Sequence, residues 1–229
     1  MSSAEPTVTA IVAVRNGDRY LSEALASIGQ QTRPVDELLV VDGHSTDRSV
    51  TLAEAAGARV VQQPGTGIAD AYNTGVAHAR GELLAFLSCD DRWTADKLQV
   101  QLAALRARPE LMFCHAHFWY EVEAGFTPPP QLAALVGPAQ PGPIMETLVA
   151  RRAAFDEVGL FDTAFANAED VDWLARAKDR GVLNEMRPEA LLHKRLHGDN
   201  LSLNLASNNA HLLKALRRSV QRKRVLDGQ

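Results

Sequence analysis

Residues Gly67–Asp91, GIADAYNTGVAHARGELLAFLSCDD, contain one complete helix-to-strand unit. Ile68 to Ala79 reads as a helix entered from the loop Pro64-Gly65-Thr66-Gly67. Leu83 to Leu87 (LLAFL) reads as a strand, and its unbroken apolar run predicts burial on both faces. The strand ends in Ser88-Cys89-Asp90-Asp91. The same unit recurs upstream. Thr7 to Val14 (TVTAIVAV) is β-rich, Asn16-Gly17-Asp18 is a turn, and Tyr20, Leu21, Ala24, Leu25 and Ile28 follow at helical spacing. Glu37 to Val41 (ELLVV) is a second strand closed by Asp42-Gly43, with Ser45-Thr46-Asp47 placed to cap a second helix. Ala58 to Val61 is a third strand. Beyond the quoted stretch, Thr94 is placed to cap a helix carrying Leu98, Leu102 and Leu105 on one face, and Leu111 to Tyr120 is a fifth strand. This alternation predicts an α/β fold, a doubly wound and mostly parallel sheet with helices on both faces.

Ligands of such sheets bind outside the carboxyl ends of the strands. Those ends lead into Arg15-Asn16, into Asp42 and into Ser88-Cys89-Asp90-Asp91. Two of the three are acidic, which suits a metal better than a bare phosphate. Along extended backbone Asp90 and Asp91 point to opposite sides, so one reaches a cation while the other faces the next helix or water. Asp42 fits either a nucleoside hydrogen-bond acceptor or a turn aspartate. Gly65-Thr66-Gly67 is not a dinucleotide fingerprint, because Asp70 stands at the third glycine position, and neither a Walker A motif nor a nucleophile elbow is present.

Composition narrows the classes. The 229 residues are 46% hydrophobic and 23% charged, which is globular. Twenty-four basic against 28 acidic residues give −4, which excludes a bulk nucleic-acid binder. No apolar run is long enough to span a membrane, Met1 to Pro6 lacks the marks of a secretory signal, and a cytoplasmic location is expected. Cys89 and Cys114 are expected as buried thiols, and His115 and His117 as strand-surface residues.

Gly125 to Pro143 holds six of the eleven prolines and marks a boundary. Ile144 to Val149, a helix near Arg151 to Glu157, and Gly159-Leu160-Phe161-Asp162 follow. Glu169-Asp170 opens a helix containing Trp173, Leu174 and Ala177 that Gly181 ends, and the helix dipole is expected to keep a carboxylate there ionised, as a general base requires. Leu191 to Leu196 is a strand, His197 stands in the polar loop after it, and Asn208 to Leu226 is a final helix. That helix carries Lys214, Arg217, Arg218, Arg222, Lys223 and Arg224, with Leu212, Leu213, Leu216 and Val220 along another side. It either lies on an anionic membrane surface or docks its apolar stripe on the core or on a second copy as a homodimer.

Taken in order, Thr9–Asn16 (TAIVAVRN), Leu39–Asp47 (LVVDGHSTD), Gly67–Asp91, Val158–Asp162 (VGLFD), Glu169–Asp172 (EDVD) with Arg176, and His197–Ser202 (HGDNLS) resemble the family-2 glycosyltransferases of GT-A fold. The resemblance implies a nucleotide-diphosphate sugar donor, a carbohydrate or lipid-linked acceptor, Mg²⁺ or Mn²⁺, and inversion at the anomeric carbon. It divides the chain into a Rossmann-like nucleotide-sugar-binding half (1–124), an acceptor-side half with the catalytic base (125–207) and a C-terminal basic helix (208–229). By resemblance, Ala13, Val14, Arg15 and Asp42 hold the nucleoside. Gly67, Asp70 and Asn73 form the pattern GIxDAxN, also on the donor. Ser88-Cys89-Asp90 is the DxD motif, with Asp90, Asp91 and His197 at the metal. Asp170 is the base, beside Glu169. The chain departs from the family at Ser88, where an acid is usual, at Arg15, where an aromatic is usual, and at Gly43, where an acid is common. Ser88 keeps open a nucleotide-sugar-binding protein without catalysis. A nucleotidyltransferase is disfavoured because Arg15-Asn16-Gly17-Asp18 has one glycine.

Overall fold

The computed structural model describes residues 5–165, 167–200, 203 and 205–226, with backbone alone for 205–211 and 223–226. Its elements run β1 (Val8–Val14), α1 (Leu21–Gly29), β2 (Glu37–Asp42), α2 (Ser49–Ala55), β3 (Arg59–Gln62), α3 (Ile68–His78), β4 (Leu83–Ser88), β5 (Arg92–Trp93) and α4 (Lys97–Ala107). Then come β6 (Phe113–Val122), α5 (Pro130–Ala133), β7 (Gln140–Gly142), a 3₁₀ turn (Met145–Thr147), β8 (Val149–Arg151), α6 (Ala153–Val158), α7 (Glu169–Asp179), β9 (Asn184–Leu196) and α8 (Leu205–Leu226). One mixed, mostly parallel sheet has the order β3-β2-β1-β4-β8-β6-β9-β5, with β7 on β6.

β1 is buried at all seven positions. Its alternate side chains feed two separate cores. Val8, Ala10, Val12 and Val14 pack with Leu21, Leu25 and Ile28 of α1 and Leu98 and Leu102 of α4. Ile11 and Ala13 pack with Tyr72 and Val76 of α3, Phe155 of α6 and Trp173 of α7. This two-sided burial is why the strand reads as an unbroken apolar run.

Several expectations need correction. β8, which the sequence reading did not separate as a strand, inserts antiparallel between β4 and β6. β9 starts at Asn184 rather than Leu191. Its first half is charged and carries Pro188, which hides a strand from a hydrophobicity reading; pairing to β6 jumps from Met186 to Ala190 there. The same irregularity falls between His115 and His117, and His115 is buried, its ring pushed down to about 4 by burial, rather than on the surface. Thr94 donates its hydroxyl to Asp96 and does not cap α4, which starts three residues later. Of the three residues expected to cap the second helix, Asp47 serves, accepting the Ser49 N–H at 2.9 Å. Both thiols are free, Cys114 buried and Cys89 half-buried.

α8 is turned inside out. Three of its cations face the protein: Arg222 pairs with Asp179 at 2.9 Å, Arg218 with Asp162, and Lys214 donates to the Ala164 carbonyl at 3.0 Å. Leu213, Leu216 and Val220 face outward, 54, 60 and 52% exposed. The apolar stripe therefore does not dock on the core of its own chain. The side chains of Lys223 and Arg224 and residues Leu201 and Ser202 lie outside the described set. Among the described residues no helix is long and apolar enough to cross a membrane.

Gly75 of α3 lies against β1, and a Cβ there meets Ile11 Cγ2 well inside van der Waals contact. Gly75→Ala is expected to cost ~1–3 kcal/mol in denaturant unfolding. Gly29→Ala, with nothing within 4 Å, is expected to be neutral or stabilising. Equal midpoints for the two variants would refute the close α3–β1 packing.

Candidate active site

The loops after β1 and β2 are tied to each other. Asn16 and His44 both adopt left-handed backbone, with φ of 52° and 62°. Asn16 donates its N–H to Ser45 Oγ at 2.9 Å, and its Oδ1 accepts the Thr46 N–H at 2.8 Å. Asp42 is 0% exposed, and both its carboxylate oxygens face the Ser45 N–H at 3.2 and 3.3 Å. In the structure Asp42 therefore closes the turn after β2. Asp70 accepts the Gly65 N–H at 2.9 Å and fastens the 64–67 loop, with Gly67 left-handed at φ 88°, to the first turn of α3. Asn73 donates to the Phe161 carbonyl and accepts the Phe161 N–H, both at 2.9 Å, so its amide is used at both ends. Asp70 and Asn73 thus build loops around the cleft. Ala13 and Val14 are buried, whereas Arg15 is exposed at the strand end.

The acids after β4 meet different partners, although they sit in a turn closed by the Asp91 N–H on the Ser88 carbonyl at 3.3 Å and not on the extended backbone that the sequence suggested. Asp91 is 1% exposed and accepts from the Arg195 N–H at 2.8 Å and Lys194 Nζ at 3.2 Å. Burial pushes it up to about 7, Lys194 opposes, and Asp90 and Glu146 add to the rise. Asp91 is consumed by β9 and has no oxygen turned to a metal. Asp90 faces the other way: its Oδ2 meets His197 Nε2 at 3.0 Å and Asn200 Nδ2 at 3.1 Å. Burial pushes Asp90 up, but the His197 hydrogen bond and the Lys194 charge outweigh it and hold the carboxyl below its ordinary value. Asp90 Oδ1 accepts nothing from the described residues. His197 Nδ1 accepts the Asp199 N–H at 3.3 Å, which assigns the ring proton to Nε2. In that tautomer His197 is a donor to Asp90, and its Nε2 has no lone pair to offer a cation. Ser88 and Cys89 complete the turn; burial pushes the Cys89 thiol up to about 12.

Two residues that the sequence did not single out join these acids. Glu146, in the 3₁₀ turn, accepts Ser88 Oγ at 2.7 Å and Lys194 Nζ at 3.3 Å, both on Oε1. Lys194 of β9 bridges Asp91 and Glu146, and despite burial their charges raise its proton affinity. The available signals were one acid inside the apolar run Ile144–Val149 and one lysine inside the last strand.

Glu169 and Asp170 stand at the start of α7, entered through Ala168 at φ 65°. A left-handed alanine costs roughly 1 kcal/mol. Glu169 is pushed up to about 8 by burial and then by Asp170. Asp170 is pushed up to about 6 by burial and then by Glu146. The helix dipole does not hold these acids at ordinary values; burial and like charge win. Both acids hold a proton more tightly than usual, Glu169 the more strongly.

Lys194 pairs with Asp91 and Glu146, Asp90 is held by His197 and Asn200, and Glu169 and Asp170 lie near enough for the Glu146 charge to raise both. The cluster is short of positive charge, and Asp90 Oδ1 is an open hard donor, so a divalent cation fits. Among the described residues no three His, Cys, Asp or Glu side chains form a ready metal cage, so substrate oxygens or water would complete the shell.

The profile of glycosyl transferase family 2 matches residues 9–173. An uncharacterized glycosyltransferase of Rickettsia typhi is 25% identical over 233 residues, covering 92% of this chain and 70% of the relative. The UDP-Glc:α-D-GlcNAc-diphosphoundecaprenol β-1,3-glucosyltransferase WfgD of Escherichia coli is 32% identical over 102 residues, covering 43% of this chain and 40% of the relative. A mannosyltransferase from Pyrobaculum calidifontis, solved with GDP-Man and Mn²⁺, superposes with a TM-score of 0.76 at 20% identity, covering 96% of this chain and 65% of that one. That likeness shows the fold, the GT-A architecture. The chain spans 30, 70 and 33% of the length of three curated relatives it matches.

Glu169 has a folded value of about 8 against an ordinary 4.5, so the folded chain holds its proton more tightly than the unfolded one. Its contribution to stability is present at low pH and is lost as pH climbs through that window. Glu169→Gln is therefore expected to gain ~1–3 kcal/mol on the parent between about pH 5 and about pH 9 in metal-free thermal unfolding. A difference independent of pH would contradict the raised value.

Proposed function

The chain belongs to glycosyl transferase family 2, and from that premise we propose that it moves a sugar from a nucleoside-diphosphate sugar to an acceptor hydroxyl with inversion. The observation that carries this reading is one carboxylate, Asp90, held after β4 by His197 and Asn200, with the acid pair Glu169-Asp170 at the start of α7. Both belong to the cluster joined by Lys194 and Glu146. The nucleoside lies along Ala13 to Arg15, with the Arg15 guanidinium stacked on the base in place of an aromatic ring. Asp90, steadied by His197 and Asn200, is the residue that would hold Mg²⁺ or Mn²⁺. When bound there, such an ion supplies Lewis-acid neutralisation of the diphosphate. The Mn²⁺ in the Pyrobaculum structure supports that choice.

Asp170 accepts the proton of the acceptor hydroxyl as its oxygen forms a bond to the anomeric carbon. The bond from that carbon to the diphosphate oxygen breaks, and the nucleoside diphosphate leaves with the electron pair. One displacement inverts the centre. Protonated Glu169 keeps a second negative charge away from the base. In this reading residues 1–124 hold the donor and 125–207 face the acceptor.

A lipid-linked acceptor suits the molecule. The Escherichia coli relative carries diphosphoundecaprenol in its name. The outward Leu213, Leu216 and Val220 of α8, with exposed Arg217 among them, form an apolar strip with a cationic flank that fits an anionic bilayer surface, which supports a peripheral membrane contact.

Asp170→Asn is expected to reduce transfer by ~10²-fold or more while calorimetric donor affinity is kept. Normal turnover by that variant would remove the base assignment. Leu213→Asp combined with Leu216→Asp is expected to lower co-sedimentation with phosphatidylglycerol vesicles without changing thermal unfolding. Equal sedimentation of parent and variant would exclude the membrane contact.

A further inference from the structure

Ser88 ends β4 two positions before Asp90, and a carboxylate from far along the chain stands against it. The Ser88 hydroxyl donates to Glu146 Oε1 at 2.7 Å, across 58 positions of sequence. Lys194 Nζ reaches the same oxygen at 3.3 Å. The Trp93 indole N–H donates to the Glu146 backbone carbonyl at 3.2 Å and fixes the turn from behind. Two groups therefore hold the side chain and a third holds its backbone. Both side-chain hydrogen bonds converge on Oε1, and Oε2 accepts nothing from the described residues. The residue is only 9% exposed. Oε2 is nevertheless not among the fully sealed, partnerless polar atoms, so it keeps some accessible surface.

The position of Glu146 matters as much as its grip. Through Lys194 it is one residue from Asp91 and thus beside the leaving-group side of the proposed reaction. It is also the neighbouring charge that acts most on Asp170. An in-line displacement puts the transferred sugar between those two ends, so a carboxylate that borders both borders the sugar ring.

We propose that Glu146, oriented by Ser88 and Lys194, is a donor-specificity residue whose free Oε2 accepts a hydrogen bond from a hydroxyl of the transferred sugar. The inference rests on the glycosyl-transfer reading above and adds to it which group reads the sugar. A fixed carboxylate suits this task because it can only accept, and a sugar hydroxyl donates to it without a change of protonation. A site built to bond a hydroxyl rejects an analogue lacking it far more strongly than an apolar pocket would.

The test uses the full chain and whichever of UDP-glucose, UDP-N-acetylglucosamine and GDP-mannose the parent binds by calorimetry with Mn²⁺. Glu146→Gln is expected to weaken that donor ~10–100-fold while leaving the matching nucleoside diphosphate, which lacks the sugar, unchanged. Against a set of singly deoxygenated donors, the parent should discriminate strongly at one hydroxyl and Glu146→Gln should lose that discrimination. Ser88→Ala, which removes only the orienting hydroxyl, should shift donor affinity in the same direction by less. Equal weakening of donor and nucleoside diphosphate, or full retention of deoxy-donor discrimination in either folded variant, overturns the proposal. Failure of the parent to bind any of the three donors overturns the glycosyl-transfer reading first, and the two failures are told apart by the parent alone.

Discussion

The site depends on one half-buried ammonium. Lys194 pairs with Asp91 and Glu146, and its charge acts on the carboxyls of Asp90, Glu169 and Asp170. Placing several acids out of water is costly unless each is bonded or neutralised. Asp91 is bonded by Lys194 and by the Arg195 N–H, which locks β9 to the end of β4. The remaining acids divide by environment. Asp90, with two side-chain donors, stays ionised. Glu169, with burial and a like-charged neighbour, keeps its proton. Asp170 lies between, close to neutrality, where a base is most useful.

The topology explains how this cluster forms. β1, β2 and β4 place three strand ends at one rim of the sheet, and the acids follow from those ends. β8 then returns antiparallel beside β4, and the 3₁₀ turn just before it sets Glu146 against Ser88. β9 runs parallel to β6 and pairs with the short β5, which follows Asp91 directly. The segment after the proline-rich stretch thus completes the sheet begun by the first 124 residues, and half of the site arrives with it. The fit of α3 against β1 at Gly75, and the double amide clamp of Asn73 on Phe161, hold the two layers in register around that rim.

Local pattern made much of this legible and left the rest dark for physical reasons. The strands β1, β2 and β4 are buried on both faces, so their apolar runs announce them. The acids after them stand out because a carboxylate ending such a run is unusual. Glu146 and Lys194 were silent: each is a single charge in an otherwise apolar segment, and their meaning lies in a contact across 48 residues that no local spacing encodes. Asp42 and Asn73 show the converse. Their positions within motifs were legible, but whether a polar side chain serves a ligand or its own loop depends on which N–H lies nearest in three dimensions. Asp42 meets Ser45 and Asn73 meets Phe161, so both build the frame. β9 was half hidden because its leading residues form a charged edge with a proline at the register break.

The last helix inverts the usual rule and links the frame to its surroundings. A surface helix ordinarily buries its apolar stripe and exposes its charges. α8 instead holds to α7 and the 162–165 loop through Arg222–Asp179, Arg218–Asp162 and the Lys214 ammonium, which lies 4.6 Å over the Phe165 ring. Ion pairs at a partly exposed seam are weaker than apolar packing and are screened by salt, so an isolated chain gains little by exposing leucines to make them. The arrangement becomes favourable once another apolar phase covers the stripe, because each buried leucine then adds its transfer energy to the seam. α7 carries the proposed base at its start, Trp173 anchors its inner face in the core, and α8 grips its outer face. Whatever covers α8 therefore loads the same helix that presents Asp170, and in the proposed function the surface that receives a lipid-linked acceptor is mechanically joined to the group that deprotonates it.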